Sequence, residues 1–173
     1  MRIIGIAGQA RSGKTTSANY LLTKLGYPWT TDAFAAPIKL MLEQIGVDCS
    51  DDNKTVVHPV LGKTPRELMQ LLGTDWGRNL VGEDTWVKLL AERNPHGCLI
   101  ISDVRMENEA DFIRENGGII IHLKGRGGIN SNHSSEHPID IQPQDYVVHN
   151  TGTFSDLRIR LDIAVDNYIN SEA

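Results

Sequence analysis

The feature that most constrains this chain is a glycine-rich run near its amino terminus. The segment Gly8-Gln9-Ala10-Arg11-Ser12-Gly13-Lys14-Thr15 fits the pattern G-x-x-x-x-G-K-[ST] without a mismatch and follows the apolar run 3–7. Backbone N–H groups of such a loop converge on phosphate oxygens, and a Cβ at Gly8 or Gly13 would block that approach. The pattern therefore predicts a strand, a phosphate-binding loop and a helix that begins near Gly13.

Two side chains of this loop carry the chemistry that a nucleoside triphosphate needs. Lys14 supplies a positive charge for the β and γ phosphates, and Thr15 offers a hydroxyl to Mg²⁺. The alternative is a chance glycine turn, which the strand and helix context disfavours. The residues expected to bind the triphosphate are Gln9, Ala10, Arg11, Ser12, Gly13, Lys14, Thr15 and Thr16.

Apolar runs and helical spacings alternate along the rest of the chain. Apolar runs predict buried strands at 98–103, 119–123 and 146–149, and a weaker strand at 27–31, where Pro28 can only begin a strand or lie at a sheet edge. Apolar residues at helical spacing predict helices after the loop, from Pro37, at about 84–93, from about 106 and at the carboxyl end. We expect an α/β fold with three layers, a P-loop NTPase fold in which a parallel sheet of about five strands is flanked by helices.

One further helix has a marked start. Thr64 is the predicted N-cap, Pro65 the first helical residue and Glu67 the partner that completes a capping box, and the helix is expected to run toward Gly77. Residues 48–63 before it carry no periodicity and predict an irregular segment.

Composition favours a single domain and excludes some classes of protein. The 173 residues are 40% hydrophobic, which predicts one domain over 1–173. Within it, helical spacing predicts a helical region at about 34–94, and a run of polar residues predicts a lid-like segment at about 124–144. The net charge of −5 argues against a general nucleic-acid binder, since duplex phosphates need a basic surface. Cys49 and Cys98 lie far apart without C-x-x-C spacing, so neither a disulfide framework nor a zinc site is expected.

The chain lacks a basic-then-apolar leader and an apolar run of membrane-spanning length. These features predict a soluble cytoplasmic protein with no membrane partner. The composition is also compatible with a homodimer.

Asp103 and Arg105 are candidate catalytic residues. Asp103 ends a buried strand, and strand carboxyl ends form the ligand crevice of such sheets, where a carboxylate organises Mg²⁺ or the acceptor. The alternative role for Asp103 is the N-cap of the following helix. Arg105 lies near that helix start, where the helix dipole disfavours a cation, so a phosphate partner is favoured over a solvated arginine.

A second candidate set lies on the helix from Pro65. Arg66, Gln70 and Thr74 are four residues apart and share one side, which is either a solvated face or a surface that reads a phosphate and a base edge. Gly73 and Gly77 within a helix indicate close packing or a ligand. Of the three tryptophans, Trp76 is the candidate for ligand stacking.

The polar segment that opens with Lys124 and Arg126 has two interpretations. It is either a lid that closes over reacting phosphates or a solvated loop with ordinary charges. His133 and His137 within it have the spacing of a helical metal pair, but Pro138 argues against a helix there, so a zinc site is not expected.

The chain resembles the bacteriophage-type deoxynucleoside monophosphate kinases, a branch of the nucleoside monophosphate kinase-like P-loop fold. The phosphate loop alone identifies only a nucleotide binder. The more specific resemblance lies in segments 34–39, 66–70, 73–78, 102–105 with Asn108-Glu109, and Asn150-Thr151-Gly152, in this order along nearly the whole chain.

This resemblance implies transfer of the ATP γ-phosphoryl group to the 5′-phosphate of a deoxynucleoside monophosphate (dNMP), with Mg²⁺ held by Thr15 and Asp103. It implies that Asn150 and Gly152 bind ATP on the adenine side, and that Lys14, Asp103, Arg105 and Arg126 are catalytic. The residues expected to bind the acceptor are Phe34, Lys39, Arg66, Gln70, Trp76, Arg78, Asp103 and Arg105.

Two other functions remain open at this point. One is an ATP-dependent kinase of a metabolite alcohol, such as dephospho-coenzyme A or gluconate, with Asp103 as the base. The other is a nucleotide-dependent switch, against which stands the lack of an Asn-Lys-x-Asp motif in the chain.

Overall fold

A parallel β-sheet organises the molecule. The computed structural model describes residues 1–127 and 139–171, and in that part of the chain the sheet has five strands in the order β2-β3-β1-β4-β5. All four strand pairings are parallel. The predicted parallel sheet is thus confirmed, with strand bounds β1 (Arg2–Gly8), β2 (Trp29–Asp32), β3 (Cys98–Val104), β4 (Ile119–Lys124) and β5 (Tyr146–His149).

The helices also follow the predicted order. Their bounds are α1 (Lys14–Leu25), α2 (Ala36–Gln44), α3 (Pro65–Gln70), a π-helix (Leu71–Val81), α4 (Thr85–Arg93), α5 (Glu107–Glu115) and α6 (Phe154–Ser171). The chain forms two compact units, one comprising Met1–Ala33 with Asn94–Ala173 and the other Phe34–Arg93.

The first unit holds the sheet between two helical layers. Ile4 and Ile6 of β1 pack in one cluster with buried residues of α1 and α6. The intervening Gly5 faces the other side, where a Cβ would lie 2.6 Å from Cδ1 of Ile113 on α5. Because successive strand residues point to opposite faces, α1 and α6 cover one face of the sheet and α5 covers the other. The three-layer prediction is therefore confirmed.

The weak second strand and the C-terminal helix also agree with the sequence. Pro28 immediately precedes β2, and β2 lies at the sheet edge, where a missing N–H does not interrupt the ladder. The predicted apolar face of α6 is buried at Leu157, Leu161, Ala164, Val165 and Tyr168.

The second unit is helical, with α2 packed on α3 and α4 packed on the π-helix. Glu67 N–H donates to Thr64 Oγ1 at 3.2 Å and Thr64 N–H donates to Glu67 Oε2 at 2.7 Å, so the predicted capping box is confirmed. Residues 48–63 contain no regular helix or strand, as expected. Cys49 and Cys98 are free thiols.

The predicted helix from Pro65 toward Gly77 is present, but its second part has a hydrogen-bonding pattern that the sequence did not predict. It ends as an α-helix at Gln70 and continues to Val81 with π-helical hydrogen bonding. Trp86 of α4 packs on this segment: its ring lies against Gly77, and its Nε1–H donates to the Gly73 carbonyl at 2.7 Å. The two glycines therefore serve close packing.

Among the described residues, no helix combines the length and apolar character that crossing a membrane requires.

Candidate functional site

The predicted phosphate loop connects β1 to α1 at the carboxyl edge of the sheet. Gly8 and Gly13 have φ of +150° and +102°, and the Ser12 N–H donates to the Gln9 carbonyl at 3.1 Å. Gly13 is the N-cap of α1 and provides no side-chain cap. The first N–H groups of α1 are therefore directed toward the loop, as an anion-binding helix start requires.

Lys14 lies over this loop. Its Nζ donates to the carbonyls of Gly8 and Gln9, both at 2.7 Å, so the ammonium group is held at the point where the strand leaves the sheet. Thr15 and Thr16 are exposed on the first turn of α1. The Lys14 ammonium group and the hydroxyl groups of Thr15 and Thr16 thus lie together at a helix N-terminus.

Two buried hydroxyl groups support the fit of a polar ligand. Within residues 1–127 and 139–171, Ser12 Oγ and Ser17 Oγ are buried and have no hydrogen-bond partner. A Cβ on Gly8 would lie 2.7 Å from Ser12 Oγ, so the glycine leaves the space beside that hydroxyl open. A triphosphate fits the loop as a whole, because its oxygens accept the hydrogen bonds that the loop N–H groups, the Lys14 ammonium group and the Thr15 hydroxyl offer.

Asp103 lies at the same sheet edge as the phosphate loop. In the β1–β3 pairing, Gly5 is opposite Ile101 and Ala7 is opposite Val104, so Asp103 flanks the end of β1 just before the loop. The N-cap of α5 is Met106, so the alternative role of Asp103 as that N-cap is wrong. Arg105 follows β3 and is exposed.

Glu109 binds the backbone two and three residues after Asp103. Its buried carboxylate accepts the N–H groups of Arg105 at 2.7 Å and Met106 at 3.1 Å. The sequence interpretation missed this role, although a glutamate in the first turn of a helix is a recognisable signal.

The segments that follow β4 and β5 meet the phosphate loop. Asn150 donates its backbone N–H to the Lys124 carbonyl at 2.7 Å and its Nδ2–H to the Ser12 carbonyl at 2.9 Å. Arg126 donates Nη2–H to the Gly152 carbonyl at 2.6 Å. The predicted adenine-side residues and the first residues of the predicted lid are therefore in contact with each other.

Most of the predicted lid, 124–144, falls in 128–138, outside the described residues. His133 and His137 belong to that part of the chain. Residues 124–127 lie beside the phosphate loop, since a Cβ on Gly127 would lie 2.3 Å from the Ala10 carbonyl oxygen.

The remaining predicted residues belong to the second unit. Phe34 is buried, Lys39 lies on α2, and Arg66 and Gln70 lie one turn apart on α3. Trp76 and Arg78 lie on the π-helix, where the Trp76 ring is 41% exposed and Arg78 Nη1 donates to the Glu83 carbonyl at 3.2 Å. Their contact with an acceptor stays a prediction.

A buried charged cluster in the first unit escaped the sequence interpretation. Asp145 has no exposed side-chain surface, and its Oδ2 lies 2.7 Å from Nη2 of Arg114 and 3.2 Å from Nε2 of His122. Burial would raise the pKa of Asp145, but hydrogen bonds from Arg114 and the Gln142 N–H outweigh it, so the pKa is below its ordinary value. Burial lowers the pKa of His122, against the opposing effect of Asp145. The sequence signal that could have revealed this cluster is His122, a histidine within an apolar strand.

The residues at the sheet edge also fit Mg²⁺. Thr15 offers a hydroxyl and Asp103 a carboxylate, and Mg²⁺ usually binds one or two protein oxygens together with substrate phosphates. In the part of the chain that the structure describes, no three or more His, Cys, Asp or Glu side chains cluster as a metal site.

Comparison with known proteins identifies a kinase family. The family model "Deoxynucleotide monophosphate kinase" matches residues 62–161. A putative deoxynucleotide monophosphate kinase of Acanthamoeba polyphaga mimivirus is 34% identical over 96% of this chain and 97% of its own length.

Phage proteins match over part of their length, and a solved structure matches over most of its length at low identity. The deoxynucleoside-5′-monophosphate kinase of Escherichia phage T5 is 29% identical over 63% of this chain, and the deoxynucleotide monophosphate kinase of Enterobacteria phage T4 is 33% identical over 53%. The matched region spans only 47% and 41% of those two phage proteins. A gluconokinase from Sinorhizobium meliloti, 16% identical with a TM-score of 0.48 over 97% of this chain and 96% of its own, carries no functional argument.

Proposed function

This chain belongs to the deoxynucleotide monophosphate kinase family, and from that premise we propose that it transfers the γ-phosphoryl group of ATP to the 5′-phosphate of a dNMP. The products are the deoxynucleoside diphosphate and ADP. The observation that supports this most is the phosphate loop, with Lys14 over it and Asp103 at the same edge of the sheet.

The first unit binds ATP. The loop N–H groups and the N-terminus of α1 receive the phosphates, Lys14 offsets their charge, and Asn150 and Gly152 lie on the adenine side. Mg²⁺ bound by Thr15 and Asp103 would neutralise charge on the phosphates and fix their geometry.

The second unit carries side chains suited to binding the acceptor nucleotide. Arg66 and Arg78 offer the forked donors of a guanidinium group to the acceptor phosphate, and Lys39 offers an ammonium group. Gln70 offers both a donor and an acceptor to a base edge. Phe34 and Trp76 offer rings for the base.

Catalysis in this proposal needs little covalent chemistry from the protein. The acceptor phosphate is already an anion at neutral pH, so a strong base is not required. The task is to hold two polyanions in line, and Lys14, Arg105 and Arg126 offset their repulsion and the charge on the transferring group. An arginine in that role contributes about 10³ to 10⁵ in rate.

The test is ADP release measured against a panel of acceptors. We expect release that depends on a dNMP, and the panel of deoxy and ribo monophosphates reports which base and sugar are accepted. Phosphorylation of gluconate or dephospho-coenzyme A without that of any monophosphate would contradict the proposal. So would slow ADP release that no acceptor accelerates, which would instead indicate a nucleotide-dependent switch.

A further inference from the structure

Asn150 lies where three segments that are far apart in sequence meet: the segment after β5, the end of β4 and the phosphate loop. It follows β5, is 6% exposed, and its backbone N–H bonds to Lys124 at the end of β4. Its side-chain Nδ2–H donates to the carbonyl of Ser12 in the phosphate loop, a residue 138 positions away. The side chain is thus committed to the backbone of the loop.

The carbonyl that Asn150 binds controls the direction of an amide in the loop. A trans peptide group is planar, so its C=O and the following N–H point in opposite directions. By holding the Ser12 carbonyl, Asn150 fixes the orientation of the Gly13 N–H on the opposite side of the same peptide group. That N–H belongs to the N-cap of α1, where an anion is received.

Burial of Ser12 limits the hydrogen-bond partners that are available to its carbonyl. Ser12 has no exposed surface, and a buried carbonyl without a partner costs free energy. A Cβ on Gly13 would lie 2.8 Å from Asn150 Nδ2, so the asparagine amide packs directly against the loop backbone. Without Asn150, the Ser12–Gly13 peptide group would lose the contact that determines its orientation.

We propose that Asn150 is a positioning residue for the polyphosphate: it orients the Gly13 N–H through the Ser12 carbonyl and does not read the base. This inference deepens the proposed function, on which it rests for the identity of the ligand. It assigns Asn150 a different task from contact with adenine, and the two tasks have different consequences for ligands that lack a base.

The experiment measures binding of inorganic tripolyphosphate, ATP and GTP by isothermal titration calorimetry. The variant is Asn150→Ala, which keeps the backbone N–H bond to Lys124. The matched control is Asn116→Ala, which removes a similar bond, from Asn116 Nδ2 to the Phe112 carbonyl at 2.8 Å, at the end of α5 and away from the loop.

For Asn150→Ala we expect the dissociation constants of all three ligands to rise by a similar factor, about ten- to a hundredfold. Asn116→Ala should leave them unchanged. Weakened ATP binding with unchanged tripolyphosphate binding would overturn the proposal, because it would show contact with the base. A wild-type protein that does not bind tripolyphosphate would also overturn it.

Failure of this inference is distinguishable from failure of the proposed function. The binding measurement needs no acceptor, whereas the proposed function is tested by dNMP-dependent ADP release. Unchanged binding in Asn150→Ala together with normal wild-type activity would overturn only the role of Asn150.

Two further measurements test the proposal even if Asn150→Ala does not fold. Asn150→Leu has a side chain of similar size without a donor, and it should show the same uniform loss. In the nucleotide-free wild-type protein, the Asn150 side-chain amide protons should exchange with solvent more slowly in NMR spectra than those of exposed asparagines. Rapid exchange would show that the bond to Ser12 does not persist and would overturn the proposal.

Discussion

Lys14 is the cation of the phosphate loop, and its Nζ is bound to carbonyls of the loop itself. We predict that Lys14→Ala lowers kcat by at least about a hundredfold, since a preorganised positive charge is lost where phosphate charge develops. Steady-state kinetics check the rate, and circular dichroism checks that the fold persists. Retained turnover in the folded variant would contradict the assignment.

Lys24→Ala is the matched control on the same helix. Lys24 lies in the last turn of α1 and pairs with Asp162 at 3.0 Å and Asp166 at 2.9 Å. We expect unchanged turnover and a loss of stability within about 1 kcal/mol, as for other exposed ion pairs.

His122 makes the stability of the protein depend on pH. Burial holds its pKa below the ordinary value of 6.5, so the unfolded chain binds more protons than the folded one when the pH falls below that value. We predict that the free energy of unfolding decreases from about pH 7 to about pH 5. His122→Gln, which does not titrate, should show a smaller decrease in urea denaturation at the two pH values, and an equal decrease would refute the assignment.

Gly77 in the π-helix leaves room for the ring of a tryptophan. A Cβ on Gly77 would lie 2.2 Å from Cζ2 of Trp86, whose ring is buried and fixed by its bond to Gly73. We predict that Gly77→Ala destabilises the protein by about 1–3 kcal/mol, the usual cost of overpacking. Urea denaturation measures the change.

Gly82→Ala is the control for that substitution. Gly82 directly follows the π-helix, has extended backbone, and a Cβ there would meet Thr85 Oγ1 at an ordinary 3.7 Å. A change within about 0.5 kcal/mol is expected. If both alanine variants were equally stable, the contact with Trp86 would not explain Gly77.

Arg114 and Asp145 join α5 to the segment before β5. Asp145 also accepts the N–H groups of Ile120 at 3.2 Å and Gln142 at 3.0 Å, so its charge is fully buried among donors. We predict that Arg114→Met destabilises the protein by about 3–5 kcal/mol, because it leaves a buried carboxylate without its cation. Thermal or urea denaturation measures this loss.

A double-mutant cycle separates this pair from general packing. Asp145→Asn removes the charge, so the combined variant should lose less free energy than the sum of the two single variants. Additive losses would show that Arg114 and Asp145 contribute independently.

At the scale of the whole molecule, the sheet places the segments of the candidate site on one edge. The carboxyl ends of parallel β1, β3, β4 and β5 meet there, and they lead to the phosphate loop, Asp103, Arg126 and Asn150 respectively. A ligand bound to that edge contacts segments from both ends of the chain, so its binding stabilises the folded state of the first unit.

We accordingly predict that ATP with Mg²⁺ raises the free energy of unfolding by about 2.7 kcal/mol when free ligand is a hundredfold above its dissociation constant. Denaturant midpoints with and without ligand check this value. Lys14→Ala should show a smaller increase at the same ligand concentration. An unchanged wild-type midpoint would argue against ATP as the ligand.

The sequence by itself determined the local features. The phosphate loop, the Thr64–Glu67 capping box and the order of strands and helices depend on groups within a few residues of each other, and periodicity or glycine and proline placement reveals them. Parallel strand pairing also followed, because crossover helices between buried strands allow little else. These features place Lys14 and Asp103 at one edge before any coordinates are known.

Only the tertiary structure decided the contacts between distant residues. Asn150 binds Ser12 across 138 positions, Asp145 binds Arg114 across 31, and Trp86 of α4 donates to the Gly73 carbonyl in the π-helix. No spacing rule links such residues, because what brings them together is the packing of strands and helices in three dimensions. Their side chains find partners only once the sheet order and the helix layers are fixed.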